Sequence, residues 1–416
     1  MNNRATGKLT TPQQPGSIWR PTTAELVSPT TTAATRLQHL SGKSDQFNKG
    51  DTHMDVGVLL LFQNWHDNLS DAEMFRQETE LGVLAEEHGF DAVWAVEHHF
   101  DDYAMCPDNL QLMAYLAART SRIKLGLGAV ILPWNDPLRV VEKVSMLEIL
   151  APGRVLFGMG RGLAKMEYAG FREDMNASRG KFDEAAPMIL RALRNGYIEN
   201  DGPIYVQPRV NVRPGLDPAT DWAGRLYGVA MSPDSVPAVA TVGAQMMTFI
   251  QYPAENHVPA MQRYREVFRE THHREPGPIV TQDFVYCHQD PDEAEATARK
   301  YLSRYFLSVV KHYDFAGSHW RETKGYEAYQ VGADMIREAG MEAAGAGYAD
   351  TQIWGTPEQI AEKYRHRLSL FGNHQPNIAP SFAGLPFDKV RASLKLFGEK
   401  VVPELQKMGV STPAGV

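Results

Sequence analysis

An acid and two imidazoles stand together at the end of a short apolar run in this sequence. Val93 to Val96 predict a buried strand, and Glu97, His98 and His99 follow it directly. Burial of charge is costly, so folding alone does not require such a cluster at a strand end. One interpretation is a histidine pair satisfied by its neighbours. The other is an imidazole that moves protons, since its charge changes near neutral pH.

The composition describes a globular chain and argues against several classes of protein. The 416 residues carry a formal net charge of −8 and include 43% hydrophobic residues. No run of Lys or Arg predicts a nucleic-acid surface, and no stretch of about 18 apolar residues predicts a membrane span. The two cysteines, Cys106 and Cys287, lie far apart in no metal-ligand spacing. We therefore expect a cytoplasmic protein with structural thiols and no metal site.

Residues 1–53 differ in composition from the rest of the chain. They are rich in Thr, Ser, Pro and Gln and contain few large apolar residues. Such a segment cannot bury enough surface to offset the entropy of ordering it, so we expect a disordered leader. Met54 stands directly before the first predicted strand, and a misassigned start of translation is the alternative interpretation.

From residue 54 to about 410 the sequence alternates between predicted strands and helices. Capping boxes at Ser70 and Thr356 mark two helix starts, and further helices are expected over about 109–121 and 178–195. Eight strands, each followed by a helix, predict an α/β protein with a (β/α)8 TIM barrel. A doubly wound open sheet is the second choice, but no Gly-x-Gly-x-x-Gly follows the first strand. The predicted strands cover residues 56–62, 90–96, 123–132, 154–159, 227–231, 246–251, 279–286 and 377–383.

One interval interrupts this alternation before the eighth strand. Residues 315–350 contain an aromatic and polar stretch followed by a segment rich in Ala and Gly. An insertion of that length is uncommon in a compact domain and is often functional. An extra surface helix without a role is the simple interpretation. Its place before the last strand favours a lid over the barrel mouth.

Separate segments along the chain resemble one family in the expected order. These segments are Glu97-His-His-Phe100, Val130-Ile-Leu-Pro133, Pro137-Leu-Arg139, Gly153-Arg154, Arg161-Gly162-Leu163, Asp174-Met-Asn-x-Ser-Arg179, Gly196-Tyr-Ile198, Val229-Ala-x-Ser232, Lys324-Gly-Tyr326, Gly355-Thr-Pro-Glu358 and Ser393-Leu-Lys-Leu-Phe397. With them the sequence resembles the bacterial luciferase-like flavin monooxygenases, most of all the luciferase α subunit, over about residues 54–405.

The resemblance implies a (β/α)8 barrel and a catalytic role for His98. In this family reduced flavin reacts with oxygen to give a C4a-peroxyflavin, and protons must move at flavin and substrate. His98 matches the catalytic imidazole of the family. Glu97 and His99 are expected to orient His98 or to close the strand end.

The resemblance also implies the residues that bind the flavin. Arg161 is expected to hold the flavin phosphate, with Ser232 and Ser235 beside it at the start of a helix expected from about Pro233. Helix capping is the alternative role of the serines. Met231 is also expected at the cofactor, although the family often has Glu at its position and a contact by its side chain is therefore left open. Gly128-Ala129 matches a non-proline cis peptide bond under the flavin ring.

The substrate side is expected to differ from that of luciferase. Glu167 matches an acidic position near the flavin, although a solvated glutamate is an alternative. Trp134 begins a segment that replaces a histidine-containing one, and Lys324 and Tyr326 belong to the lid-like insertion. Gly160 replaces a reactive thiol of luciferase. Light emission from a long-chain aldehyde therefore does not follow from the resemblance.

The sequence as a whole predicts an FMN-dependent monooxygenase that uses reduced flavin and oxygen. The expected substrate is a small organic molecule such as an aldehyde, ketone or terpenoid. The expected partners are a flavin reductase that supplies reduced FMN and a second copy of the chain in a homodimer. A deazaflavin-dependent dehydrogenase on the same barrel is the first alternative. A flavin-binding subunit without catalysis is the second alternative, but such a subunit lacks the long insertion.

Overall fold

The computed structural model describes residues 53–409. The leader predicted for residues 1–53 lies outside these residues except for His53. Within the described part, eight parallel strands form a barrel. They are β1 (Gly57–Leu60), β2 (Ala92–Ala95), β3 (Lys124–Ile131), β4 (Val155–Gly160), β7 (Leu226–Val229), β8 (Gln245–Phe249), β9 (Ile279–Cys287) and β11 (His374–Ala379). The barrel is closed because β8 and β9 pair with each other as well as with their other neighbours.

The barrel strands are apolar runs because both of their faces are covered. Every residue of β1, β2, β4 and β9 is buried, as expected for parallel strands packed between a core and a ring of helices. The register between β1 and β2 pairs Gly57 with Ala92 and Leu60 with Ala95. Parallel pairing brings all carboxyl ends of the strands to one mouth, where Glu97 and Arg161 follow β2 and β4.

Helices surround the barrel and begin at residues that the sequence marks. Thr356 and Gln359 form the predicted capping box with both of its hydrogen bonds. At the other predicted box, only the bond from the Glu73 backbone N–H to the Ser70 hydroxyl is formed. The helices are α1 (Asp71–Glu87), α2 (Asn109–Arg119), α3 (Pro137–Leu150), α4 (Lys165–Phe171), α5 (Ser178–Asn195), α6 (Ser235–Thr241), α7 (Val258–His272), α8 (Pro291–Tyr313), α9 (Tyr329–Ala339), α10 (Met341–Thr351), α11 (Pro357–Phe371), α12 (Phe387–Lys400) and α13 (Val402–Lys407).

Several elements depart from the sequence prediction. Residues 197–211, where no strand was predicted, form an antiparallel hairpin of β5 (Tyr197–Asp201) and β6 (Val206–Asn211). The insertion at 315–350 is largely helical, with α10 packed beside α8 and α9 in contact with α10. A further parallel strand, β10 (Ile353–Gly355), pairs with the last three residues of β9, from Val285 to Cys287. Across residues 53–409, no helix is both long and apolar enough to cross a bilayer.

Candidate active site

His98 is held by a buried carboxylate. Its Nδ1 atom lies 2.9 Å from Oε1 of Glu167, and the same oxygen accepts the His99 backbone N–H at 2.8 Å. Because an ionised carboxylate can only accept, Nδ1 of His98 carries the proton and Nε2 is left to exchange one. Only 1% of the Glu167 side chain is exposed, so the alternative of a solvated glutamate is wrong.

Glu97 holds the loop after β3 and has no contact with His98. Its Oε1 accepts the Trp134 indole N–H at 2.7 Å and the Asn135 side chain at 2.8 Å, and its Oε2 accepts Ile131 N–H at 3.1 Å. His99 Nε2 lies 3.4 Å from the same carboxylate. Of the two predicted roles, closing the strand end fits this geometry and orienting His98 does not.

Two aromatic residues at the end of α8 complete the surroundings of His98. The Tyr313 hydroxyl lies 3.3 Å from His98 Nε2. The His312 ring is perpendicular to that of His98, with centroids 5.1 Å apart, and its Nδ1 lies 3.5 Å from Asp101. None of these three residues was predicted from the sequence; Tyr313, for example, lies 215 positions from His98 along the chain.

Burial and charge set the protonation states of this group. Burial raises the pKa of Glu167, but the charge and hydrogen bond of His98 outweigh it and hold that pKa below its usual value. Burial and the neighbouring His98 lower the pKa of His312. Burial raises the pKa of Tyr313 well above its usual value. At neutral pH the group therefore contains an ionised Glu167, a neutral His312 and a protonated Tyr313.

A second polar cluster, the arginine cluster, lies at the ends of β4 and β7 and consists of Arg161, Arg179, Ser232, Asp234 and Ser235. Arg161 Nη1 donates to Asp234 Oδ2 at 3.2 Å, and Arg179 Nη2 donates to the same oxygen at 2.9 Å. Ser232 donates its hydroxyl hydrogen to the other oxygen of Asp234. Burial raises the pKa of Asp234, but the Ser232 hydroxyl and the two guanidinium groups outweigh this effect and hold that pKa below its usual value. The cluster is built to hold an anion, and the Asp234 carboxylate provides one.

The serines predicted to bind phosphate are buried within this cluster. The Ser235 hydroxyl accepts the backbone N–H groups of Met231 at 3.1 Å and of Ser232 at 2.9 Å. Helix α6 begins at Ser235, two residues later than expected, so these N–H groups precede the helix. The Met231 sulfur faces back toward β8, 3.1 Å from the Phe249 backbone N–H. Met231 therefore contributes packing to this loop.

The peptide bond between Gly128 and Ala129 is cis, as the resemblance implies. It lies on β3, between the strands that lead to the two clusters. The Asn109 side chain donates to the Ala129 carbonyl at 3.0 Å and to the Ala95 carbonyl at 3.3 Å. These bonds fix the carbonyl groups on β2 and β3 at the mouth.

The insertion contacts the arginine cluster through two of its residues. The Gly325 carbonyl accepts Arg161 Nη2 at 2.8 Å, and the Tyr326 ring lies 3.9 Å from the guanidinium carbon of Arg161. Gly325 has φ +80°, and a Cβ there would lie 2.7 Å from Arg161 Nη1, so only glycine permits this approach. Lys324 is exposed, and its backbone N–H donates to Asn176.

Helix α4 joins the two clusters. Glu167 bonds His98, and the next residue, Tyr168, donates its hydroxyl hydrogen to the Arg161 carbonyl. The Tyr168 ring also packs edge-on against Trp134, with centroids 5.1 Å apart. The imidazole cluster, formed by His98, Glu167, His312 and Tyr313, is thus fixed to the arginine cluster through adjacent residues of a single helix.

An apolar cavity of about 770 Å³ lies between the insertion, the outer helices α8 and α11, and the loop after β8. Its walls include residues of α8, α9, α10 and the loop after β8. Tyr329 and Phe315 line it, and Phe315 packs against Tyr313, which contacts His98. The main aromatic and aliphatic lining residues are Tyr252, Phe306, Val309, Phe315, Tyr329 and Ile336.

Comparison with known proteins identifies the family. The profile described as luciferase-like monooxygenase matches residues 54–374, most of the chain. The chain belongs to the luciferase-like monooxygenase family. The predicted resemblance and the predicted class of enzyme are confirmed at this level. Among curated relatives of the family, the alkanal monooxygenase alpha chain of Photorhabdus luminescens is 27% identical over 354 residues, which cover 81% of this chain and 94% of that protein.

Solved structures confirm the barrel expected for this luciferase-like chain. The oxygenating constituent of 3,6-diketocamphane monooxygenase of Pseudomonas putida, in complex with FMN, has a TM-score of 0.63 at 18% identity and covers 85% of this chain and 98% of its own. An F420-dependent secondary alcohol dehydrogenase has a TM-score of 0.62 at 16% identity, covering 85% and 99%. These identities support the fold alone.

Proposed function

We propose that this protein is a monooxygenase that binds reduced FMN and uses oxygen to oxygenate a small organic molecule such as an aldehyde, ketone or terpenoid. The observation that carries the proposal is the convergence of Arg161, Arg179 and Ser232 on one carboxylate at the barrel mouth. A separate reductase supplies the reduced flavin in this proposal, because the sequence contains no nicotinamide-binding motif.

The residues of the arginine cluster fit an FMN phosphate. Two guanidinium groups can form charge-assisted hydrogen bonds to phosphate oxygens, and the Ser232 hydroxyl adds a further donor. The phosphate would take the position that the Asp234 carboxylate now occupies between Arg161 and Arg179. Asp234 would have to rotate away, and its exposed fraction of 40% gives it room to do so.

The protein supplies binding, orientation and proton handling. When bound, reduced FMN activates oxygen for transfer of one atom to the substrate. Glu167 fixes the Nδ1–H tautomer of His98, which leaves Nε2 as the nitrogen that exchanges protons. The Tyr313 hydroxyl can donate to Nε2 and so hold the ring while that nitrogen awaits a proton. The apolar cavity offers space for an organic substrate, and its wall residue Phe315 packs against Tyr313, which contacts His98.

A deazaflavin-dependent dehydrogenase remains the second candidate because an F420-dependent dehydrogenase has the same fold. The deciding experiment mixes the purified protein with reduced FMN or reduced F420 under air. Oxygen consumption and oxygenated product with reduced FMN support the proposal. Substrate-linked oxidation or reduction of F420 without oxygen consumption would replace it with the dehydrogenase.

The first prediction concerns the proposed lid role of the insertion. Tyr326→Ala should remove the ring against Arg161 and the hydroxyl that donates to Gly162 at 2.7 Å, and so admit water to the mouth. We expect more hydrogen peroxide and less oxygenated product per oxygen consumed. Lys324→Ala, at the exposed neighbouring position, is the control and should keep the wild-type ratio. Equal ratios in the wild type and both variants would show that the insertion does not act as a lid.

The second prediction concerns the proposed homodimer. Helices α2 and α3 expose Tyr115, Met146, Ile149 and Leu150, each about half accessible. Side chains of this kind, grouped on adjacent helices, suit an interface with a second copy of the chain. Leu150→Asp should therefore shift the protein to monomers in analytical ultracentrifugation. The control Val331→Asp, at a position of the insertion that is 65% exposed, should leave the mass unchanged. A monomeric wild type would contradict the proposal.

A further inference from the structure

The imidazole cluster contains an unusual conflict between hydrogen-bond acceptors. The His312 ring lies between two carboxylates, with Nδ1 3.5 Å from Asp101 and Nε2 3.8 Å from Glu167. A neutral imidazole has one N–H and can therefore satisfy only one of them. Among the described residues, no group lies within hydrogen-bond distance of His312 Nε2, although this atom is fully buried. When Nδ1 donates to Asp101, the lone pair of Nε2 faces the Glu167 carboxylate.

A cation between the two acceptors would remove this conflict. A proton on His312 is one way, because the charged ring would donate from both nitrogens. A metal ion is the other way, because it accepts lone pairs from imidazole and carboxylate together. One ligand atom each from His98, Glu167 and His312 lie within 4.8 Å of one another.

We propose that His98, Glu167 and His312 form a binding site for a divalent transition-metal ion, with Zn²⁺ as the best match. Two imidazole nitrogens and one carboxylate oxygen suit Zn²⁺ or Co²⁺ and do not suit the oxygen-seeking Mg²⁺ and Ca²⁺. Three protein ligands leave a fourth position of a tetrahedral ion open. The ligands come from the loop after β2, from α4 and from the end of α8, so a bound ion joins three separate elements.

The distances agree with such an ion after small side-chain movements. Ligands at about 2.1 Å from a tetrahedral metal lie about 3.4 Å from one another. The distance from Glu167 Oε1 to His98 Nδ1 is 2.9 Å, and that to His312 Nε2 is 3.8 Å. The two separations lie on either side of the ideal value.

The groups around the ligands are those that metal-binding histidines require. With Nε2 of His312 on the metal, its Nδ1–H donates to Asp101. With Nδ1 of His98 on the metal, the proton moves to Nε2 and faces the Tyr313 hydroxyl oxygen at 3.3 Å. Tyr103 stacks on the His312 ring with centroids 4.3 Å apart and holds its orientation. Each histidine thus has an outer partner on the nitrogen that faces away from the ion.

The test uses Co²⁺ alone, added to the full chain after chelator treatment and in the absence of flavin. We expect one equivalent of Co²⁺ to bind with visible absorption bands of a low-coordinate site, and Zn²⁺ to displace it. His312→Gln should weaken Co²⁺ binding by at least about 100-fold, because it removes a ligand. Asp101→Asn should weaken binding by roughly 10–100-fold, the effect usual for an outer partner.

The control variant is His53→Ala, which removes one side chain from the cluster of His53, Asp55 and Asp91. This second cluster of possible ligands is more exposed than that of His98, Glu167 and His312. The control variant should bind Co²⁺ as the wild type does. A wild type that binds no Co²⁺, or variants at positions 312 and 53 that bind equally well, would overturn the proposal. If His312→Gln does not fold, Asp101→Asn decides in the same way. Because flavin is absent, this result is independent of the proposed monooxygenase function.

Discussion

Replacing His98 by alanine should lower turnover by roughly 10²–10⁴, the range usual for a positioned acid or base. The expected loss follows from the His98–Glu167 pair, which leaves Nε2 as the proton-exchanging atom. FMN binding should remain, because His98 has no contact with the arginine cluster. The measurement is steady-state turnover with the true substrate, together with FMN affinity in the same preparation.

Two variants separate proton transfer from general disruption of the site. Glu167→Gln keeps the shape of the buried side chain but removes its charge, so turnover should fall while FMN affinity is unchanged. His99→Asn is the matched control, because its ring contacts Glu97 at 3.4 Å and not the proposed proton path. We expect His99→Asn to retain most of the activity. Unchanged turnover in His98→Ala would rule out a catalytic role for His98.

Replacing Arg161 by alanine should weaken FMN binding by roughly 1.5–3 kcal/mol, the contribution of hydrogen bonds to a charged group. The Arg161 side chain is only 8% exposed, so its interaction with phosphate is poorly screened by water. Riboflavin lacks the phosphate and should bind the wild type weakly. Its affinity should change little in the variant. The measurement is equilibrium titration of both flavins, and equal losses for the two would contradict the phosphate assignment.

Asp234→Asn should change FMN affinity in the opposite direction. The Asp234 carboxylate lies 2.9 Å from Arg179 and competes with a phosphate for both guanidinium groups. Asparagine fills the same space without the charge, so FMN should bind more tightly and riboflavin as before. Weaker FMN binding in Asp234→Asn would show that the carboxylate instead positions the arginines.

The barrel could be predicted because its strands carry a strong signal. Strands covered on both faces are continuous apolar runs, and all eight appear near the expected positions. The hairpin of β5 and β6 could not be recognised in the same way, because most of its side chains are exposed and Pro208 interrupts β6. Helix α10 could not be recognised, because its Gly and Ala residues give no clear apolar period, whereas the apolar residues of α9 follow the helical period and could have predicted that helix.

From the residues alone, the site was predictable only at Glu97, His98 and His99, which directly follow a strand. The roles of Arg161, Glu167 and the two serines were predicted from the family resemblance. His312 and Asp234 gave no such signal, since their roles depend on contacts with residues distant in the chain. The bond between His98 and Tyr313, for example, joins residues 215 positions apart. No local pattern contains such a contact.

The apolar cavity and the polar clusters are carried by different elements of the fold, so their residues can change at different rates in evolution. The walls of the cavity come largely from α8, α9 and α10, whereas the arginine cluster and Glu167 stand on loops and a helix next to the barrel strands. Under the proposed function, substitutions in α9 and α10 should therefore alter which molecules fit the cavity without moving His98 or Arg161. Substitutions in α4 would disturb both polar clusters together. Selection for new substrates should accordingly accumulate changes in the insertion and leave α4 constant, which makes the insertion the natural target of a directed-evolution library.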